Sequence, residues 1–261
     1  MLLNWSRISN RSPLGRLLRL PLRLVPARAA MSVMAGPNRG MRWRAGAFDH
    51  GCWLGSFELE KQVRLQSAVT QGMTAYDLGA HAGFYTLLLS RAVGPTGRVF
   101  AFEPYAANAA QLLEHLRLNR VENVILLQTA IGSASGLAWF RSGSSSSTGA
   151  LSDGPGNLRV PCFTLDQLID THGLPEPDLL KVDVEGAEAE VLRGSCGLLH
   201  RRKPIWFIAL HSGANKTACL PLLAAAGYDV FGLDGLRCDA SSPLSAPDDI
   251  VAIGRGSDAI S

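Results

Sequence analysis

A chain of 261 residues, 47% hydrophobic and 18% charged, can build one sizeable α/β core but lacks the length for a second full domain. That composition excludes a disordered chain, and no apolar run approaches the ~20 residues of a membrane span. The net charge of +3 is uneven: residues 1–48 hold nine of the 25 basic residues and no acid, leaving 16 basic against 22 acidic residues in the remainder.

Residues 1–35 read as a basic, Arg- and Leu-rich arm. In RSPLGRLLRLPLRLVPARAA, Arg16, Arg19 and Arg23 share one helical face and Leu14, Leu18, Leu22 and Val25 the other. Pro21 interrupts that helix by removing a donor and clashing with the preceding turn. Two readings stay open: an anchor on anionic lipid or targeting arm, and a basic extension lying loosely on the domain. The five cysteines (Cys52, Cys162, Cys196, Cys219, Cys238) have no metal-ligand or redox spacing. Reduced thiols in a cytoplasmic protein are expected, with residues 1–30 available for peripheral membrane contact.

Residues 36–72 form a lead-in, where Trp43 and Trp53 are expected to pack the segment onto the domain rather than cover a ligand. From Met73 onward, short apolar runs alternate with helical patterns, as in a parallel sheet with crossover helices. Strands are expected over Thr74–Leu78, Arg98–Phe102, Val124–Gln128, Leu179–Val184, Ile205–Leu210, Tyr228–Leu233 and Ile250–Gly254. Helices are expected over Tyr85–Ala92, Ala106–Leu118, Ala187–Arg193 and Lys216–Ala226. The low-complexity Ser142–Gly149 is expected to be a mobile loop, either closing over a ligand or ending a hairpin.

The chemistry concentrates where strands turn into helices. In AYDLGAHAGFYTLLLS, Gly79 and Gly83 follow a strand and open a helix, with Asp77 two residues before the first glycine. A dinucleotide fingerprint would need G-x-G-x-x-G. A carboxylate at position 77 repels a pyrophosphate and suits a cation, such as the amino group of a zwitterion. Glu103 ends the second strand, RVFAFEP, where an acid can accept hydrogen bonds from both hydroxyls of a ribose. Ribose plus a positive group, without a phosphate cradle, fits S-adenosylmethionine.

The third block, LLKVDVEGAEAEVLRG, alternates Lys181, Asp183 and Glu185 along an apolar strand. Charges there must reach a cleft or pair with one another. Lys181 pairing with Glu185 is one solution, and it leaves Asp183 for the cleft. His211, at the end of FIALH, is either a general base or a structural strand-end residue. His81, in the glycine loop, either approaches the ligand or fills the loop.

Together, YDLGAHAGFYTLLLS, GRVFAFEP, NVILLQTAIG, TLDQL and LLKVDVEGAEAEVLRG resemble the FkbM family of S-adenosylmethionine-dependent methyltransferases. GPNRGMRWRAG and HGCWLGSFELEKQ are similar to a lead-in of some members. The resemblance implies a class I methyltransferase fold over residues 73–261: Rossmann-like and doubly wound, with a mostly parallel seven-stranded sheet and an antiparallel last strand. It implies that Asp77, Gly79 and Gly83 surround the methionine part of the cofactor. Glu103 would hold the ribose, Ala130 and Ile131 would flank the adenine, and Asp183 would face the reacting centre. It further implies O-methylation of a hydroxyl on a small-molecule, glycan or lipid-linked acceptor, with Asp183 or His211 as the base. One departure stands out: Ala209 replaces an acid frequent in the family two residues before the strand-end histidine. An impaired S-adenosylmethionine-binding or scaffold protein is therefore the alternative. A nicotinamide-dependent oxidoreductase is disfavoured by the missing glycine and by Asp77. Nucleic acid is not an expected partner, since there is no Asn-Pro-Pro-Tyr-like motif and the domain is acidic.

Overall fold

The computed structural model describes residues 21–141, 150–152, 156 and 158–256. The loop Ser142–Gly149 and the first 20 residues of the arm lie outside them, so the expectations for both stand on sequence.

The centre is a seven-stranded sheet: β1 (Thr74–Leu78), β2 (Arg98–Phe102), β3 (Val124–Leu127), β4 (Leu179–Val182), β5 (Ile205–Ala209), β6 (Tyr228–Gly232) and β7 (Asp249–Gly254). Their spatial order is β6-β7-β5-β4-β1-β2-β3. Neighbours among β1 to β5 run parallel, whereas β7 is antiparallel to both β5 and β6. The chain winds outward from β1 through β3, then returns to lay β4 on the other side of β1. That reversal opens a crevice beyond the carboxyl ends of β1 and β4.

Both faces of the sheet are covered, which is why its strands read as continuous apolar runs. Helices α1 (Leu59–Ala68), α2 (Phe84–Val93) and α3 (Ala106–Asn119) cover one face, where Ala75, Val99, Ala101 and Phe207 meet Leu65, Leu88 and Leu112. Helices α4 (Leu165–Asp170), α5 (Glu188–Arg193), α6 (Cys196–Arg201) and α7 (Gly213–Ala225) cover the other, where Tyr76, Phe102, Leu180 and Trp206 meet Leu165, Val191, Leu198 and Leu220. The alternation of residues 75 and 76, or 101 and 102, between the two clusters is the strand period of two.

The lead-in belongs to the first of these layers. Ala30–Ser32 pairs antiparallel with Arg42–Arg44, so ordered structure begins inside the segment read as the arm. Trp43 is fully buried, stacked on His115 at 3.9 Å and edge-on to Phe84 at 5.6 Å. Trp53 is buried with its indole N–H donated to His50 Nδ1 at 3.2 Å. Both tryptophans pack; Trp43 also reaches the wall of the crevice.

Several element ends differ from the expected spans by a residue or more, and two of them, one strand and one helix, do so for local reasons. β4 stops at Val182 rather than Val184, because the Glu188 carboxylate accepts the N–H groups of Val184 and Gly186 and folds the chain into a turn. α7 starts at Gly213 because Ser212 Oγ caps it, accepting the Asn215 N–H at 3.2 Å. A second sheet was not foreseen: Ala130–Ile131, Leu158–Phe163, Gly136–Arg141 and Ala150–Ser152 in that spatial order. Ala130–Ile131 is only two residues long, and Gly136–Arg141 and Leu158–Phe163 interleave exposed with buried positions, so none of the three offers a continuous apolar run to read.

Candidate active site

A cavity of about 410 Å³ lies at the crevice, beyond the ends of β1, β2, β4 and β5. Its size falls within the range of small-molecule sites. One end is mostly apolar around Glu103, His81 and Asn108, and much of it is built from consecutive pieces of the strand–loop–helix units. The other is dense with charge.

At the apolar end the loop after β1 turns sharply. Gly79 has φ +75°, and a Cβ there would sit 1.9 Å from the carbonyl oxygen of Asp183. This glycine therefore lets the β1 loop close against the end of β4. Gly83 has φ +90° at the N-cap of α2, where a Cβ would meet the Leu112 side chain at 2.9 Å. Unlike Gly79, Gly83 is not part of the cavity wall. The loop's N–H groups are spent internally: Gly79 and Ala80 both donate to the Phe102 carbonyl at 3.0 Å, and Gly83 to Ala80. A phosphate cradle would leave them free.

Glu103 stands one residue past β2, 4% exposed, with both oxygens anchored. Oε2 accepts the His81 N–H at 2.8 Å, and Oε1 accepts the Tyr105 N–H at 2.9 Å and the Asn108 amide at 3.4 Å. Burial raises its pKa, and these hydrogen bonds pull against that rise. A carboxylate oxygen has two lone-pair directions, so Glu103 retains capacity toward the cavity. Ala130 and Ile131, both buried, continue this wall with Phe140. His81 lines the cavity at φ +50°, its ring 4.9 Å from that of Phe48.

Asp77 departs from the expectation. It is fully buried behind the wall: Oδ1 lies 3.1 Å from Lys181 Nζ, and Oδ2 accepts the Thr86 hydroxyl at 2.6 Å. It therefore neutralises a buried lysine rather than meeting the amino group of a ligand. Lys181 also donates to the Gly79 carbonyl at 3.0 Å and lies 3.8 Å from Asp183. The pairing of Lys181 with Glu185 considered from sequence does not form.

The charged end is one network. Asp183 Oδ2 faces two ammonium groups, Lys61 at 3.4 Å and Lys181 at 3.8 Å, while Oδ1 is 2.9 Å from His211 Nε2. Lys61 comes from α1 and is 4% exposed. It reaches Asp249 at 2.8 Å and Glu58 at 3.5 Å, and Glu58 in turn accepts the Tyr85 hydroxyl at 2.7 Å. Both ammonium groups sit about 5.5 Å over the Tyr85 ring. Burial alone would lower Lys61, but Asp183, Glu58 and Asp249 hold it above its ordinary pKa. Burial alone would raise Asp183, but Lys181, Lys61 and His211 hold it far below the usual carboxylate range. The hydrogen bond to Asp183 lifts His211 to about 9 against the opposing effect of burial.

Asp183 and His211, read separately as candidate bases, are thus one ion pair. At neutral pH the first has little affinity for a proton, and the second already holds one. Ala209 is in the wall, and across from it in antiparallel register stands Asp249, so an acid borders that position from the adjacent strand. Sequence reasoning missed Glu58, Lys61, Tyr85 and Asp249. The available signal was Lys61, a charge on the face of α1 that Leu65 and Ala68 bury.

The sequence model of the Methyltransferase FkbM domain matches residues 77–230. The chain belongs to the FkbM methyltransferase family. A curated relative, the hexuronic acid methyltransferase AglP of Haloferax volcanii, is 28% identical over 152 residues, covering 58% of this chain and 61% of its own length. The crystal structure of a methyltransferase FkbM from Methylobacillus flagellatus superimposes with a TM-score of 0.50 at 18% identity, over 70% of this chain and 43% of that one. This likeness establishes the class I methyltransferase fold. Glu58, Lys61, Asp248 and Asp249 of the cavity wall lie outside the matched FkbM residues.

Proposed function

We propose that this FkbM protein is an S-adenosylmethionine-dependent methyltransferase acting on a hydroxyl of a polar, glycan-type acceptor. What carries the reading is the two-ended cavity, with a ribose-competent carboxylate between apolar walls at one end and a charged network at the other. The cofactor fits the first end: Glu103 would hold the ribose hydroxyls, Ile131 and Phe140 would flank the adenine, and the Gly79 turn would border the methionine part. When bound, it supplies an electrophilic methyl group on a sulfonium. The chain's own part is to align the acceptor oxygen with that methyl, exclude water and receive a proton.

The acidic excess of the charged end suits a cationic cofactor, and its fixed donors and acceptors suit the hydroxyls of a sugar. The hexuronic acid named for the Haloferax relative supports the same acceptor class. Calorimetry with S-adenosylmethionine, followed by incubation of methyl-labelled cofactor with glycan, lipid and nucleic-acid fractions of host extract, tests the reading. Label in the glycan fraction supports it. Cofactor binding with no transfer to any fraction would favour a binding protein instead.

Among the described residues no helix is long and apolar enough to cross a membrane. Peripheral contact through residues 1–30 is a separate proposal, tested by co-sedimenting full-length and truncated protein with anionic vesicles at low and high salt.

A further inference from the structure

The three acids of KVDVEGAE do three different things. Asp183 is locked into the ion network. Glu188 is internal, its side chain shut off from solvent: one oxygen accepts the N–H groups of Val184 at 3.3 Å and Gly186 at 3.1 Å, and the other accepts the Asn215 amide. Between those two clamped N–H groups stands Glu185, held at φ +56°. A non-glycine residue in this left-handed region costs about 1–2 kcal/mol and persists only where its surroundings fix it. Here the Glu188 carboxylate fixes it from below, and the result is that the Glu185 side chain lines the cavity. Among the described residues no hydrogen bond or ion pair engages the Glu185 carboxylate. Its oxygen, an Asp183 oxygen and a ring nitrogen of His211 all lie within 4.8 Å of one another.

We propose that Glu185 is the catalytic residue that takes the proton of the acceptor hydroxyl, with the Asp183–His211 ion pair positioning that hydroxyl. The assignment rests on the methyltransferase reading. In the step, the O–CH₃ bond forms as the S–CH₃ bond breaks, and the electron pair of the latter remains on sulfur. The O–H proton passes to Glu185, which, being solvent-exposed, releases it to water. The environment agrees: partial burial, with Asp183 and Glu188 nearby, raises the Glu185 pKa, while His211 and Lys181 oppose the rise.

The test uses the full chain and the variants Glu185→Gln, Glu185→Asp and Glu185→Asn. The asparagine variant matters because Asn tolerates the left-handed backbone, so it removes the acid without asking the turn to refold. Methyl transfer to the responsive extract fraction should fall about 100-fold or more in the Gln and Asn variants and recover in part in the Asp variant. The rise of rate with pH on the acid side should vanish with it. Calorimetric affinity for S-adenosylmethionine should stay within about twofold, since Glu185 is not assigned to the cofactor. Independently of turnover, the His211 titration followed by NMR should move down from about 9 once the neighbouring anion is gone. Gln and Asn variants that turn over like the parent overturn the assignment alone; an unmoved His211 titration overturns only the placement of the Glu185 carboxylate beside that ring. A parent protein that binds cofactor but methylates nothing overturns both the assignment and the function on which it rests.

Discussion

The two ends of the cavity are built on opposite plans. At the Glu103 end the β1 and β2 walls come from stretches of sequence continuous with their strands, tied together by backbone groups and one carboxylate. Gly79, Ala80 and His81 follow β1 directly, and Glu103 follows β2 directly. At the charged end the side chains come from segments far apart in the chain. Lys61 meets Asp183 across 122 residues, and Asp183 meets His211 across 28. The first end is local geometry. The second is long-range electrostatics in a buried setting, where removing one charge strands another. The two ends should therefore fail differently when perturbed.

The sharpest contrast is expected at Lys181, which joins the local end, through Asp77 and the Gly79 carbonyl, to the charged end, through Asp183. Lys181→Met leaves Asp77 charged, fully buried and without its cation, and should lower stability by about 3–5 kcal/mol in chemical denaturation. Adding Asp77→Asn should recover a large part of that loss. If the single variant is as stable as the parent, the network is not what holds this end together.

A turnover effect comes next. Asp183→Asn should depress methyl transfer by about 100-fold while moving cofactor affinity far less, because Asp183 holds His211 within the charged network and makes no hydrogen bond to Glu103. In the same variant the His211 titration should fall from about 9 toward the ordinary value. Equal losses in turnover and affinity would merge the two ends into one functional unit.

Glu103→Ala tests the local end, and the loss of charge-assisted hydrogen bonds should weaken S-adenosylmethionine binding by about 1.5–3 kcal/mol in calorimetry. Unchanged affinity in a folded variant would remove Glu103 from the site.

The smallest expected effect is on pH dependence. The folded-state pKa of His211, about 9, lies above its ordinary value of 6.5, so the pairing with Asp183 stabilises fully below about pH 6.5. That contribution is lost as pH rises through about 9. The thermal midpoint should decline over this window, and His211→Gln should flatten the decline. A parent and variant with parallel curves would show that the ion pair adds nothing to stability.

The sequence by itself determined the sheet and the local end of the cavity. β1 and β2 coincide with the expected spans, because strands covered on both faces must be apolar throughout and are bounded by turn residues. Gly79 and Glu103 were legible for a related reason: each sits at a fixed offset from its strand, so its position follows from the strand's end. The tertiary structure decided the rest. Whether Asp77 faces a ligand or a lysine depends on where β4 lies, and strand order is not written in any single segment. Lys61 could be placed only after α1 was laid over the crevice, since an ion pair's partners depend on folded distance and not on separation along the chain. The same holds for the acids of KVDVEGAE, which look alike in sequence. One is neutralised, one clamps a turn and one stands free, because only the fold determines which cations and N–H groups each carboxylate meets.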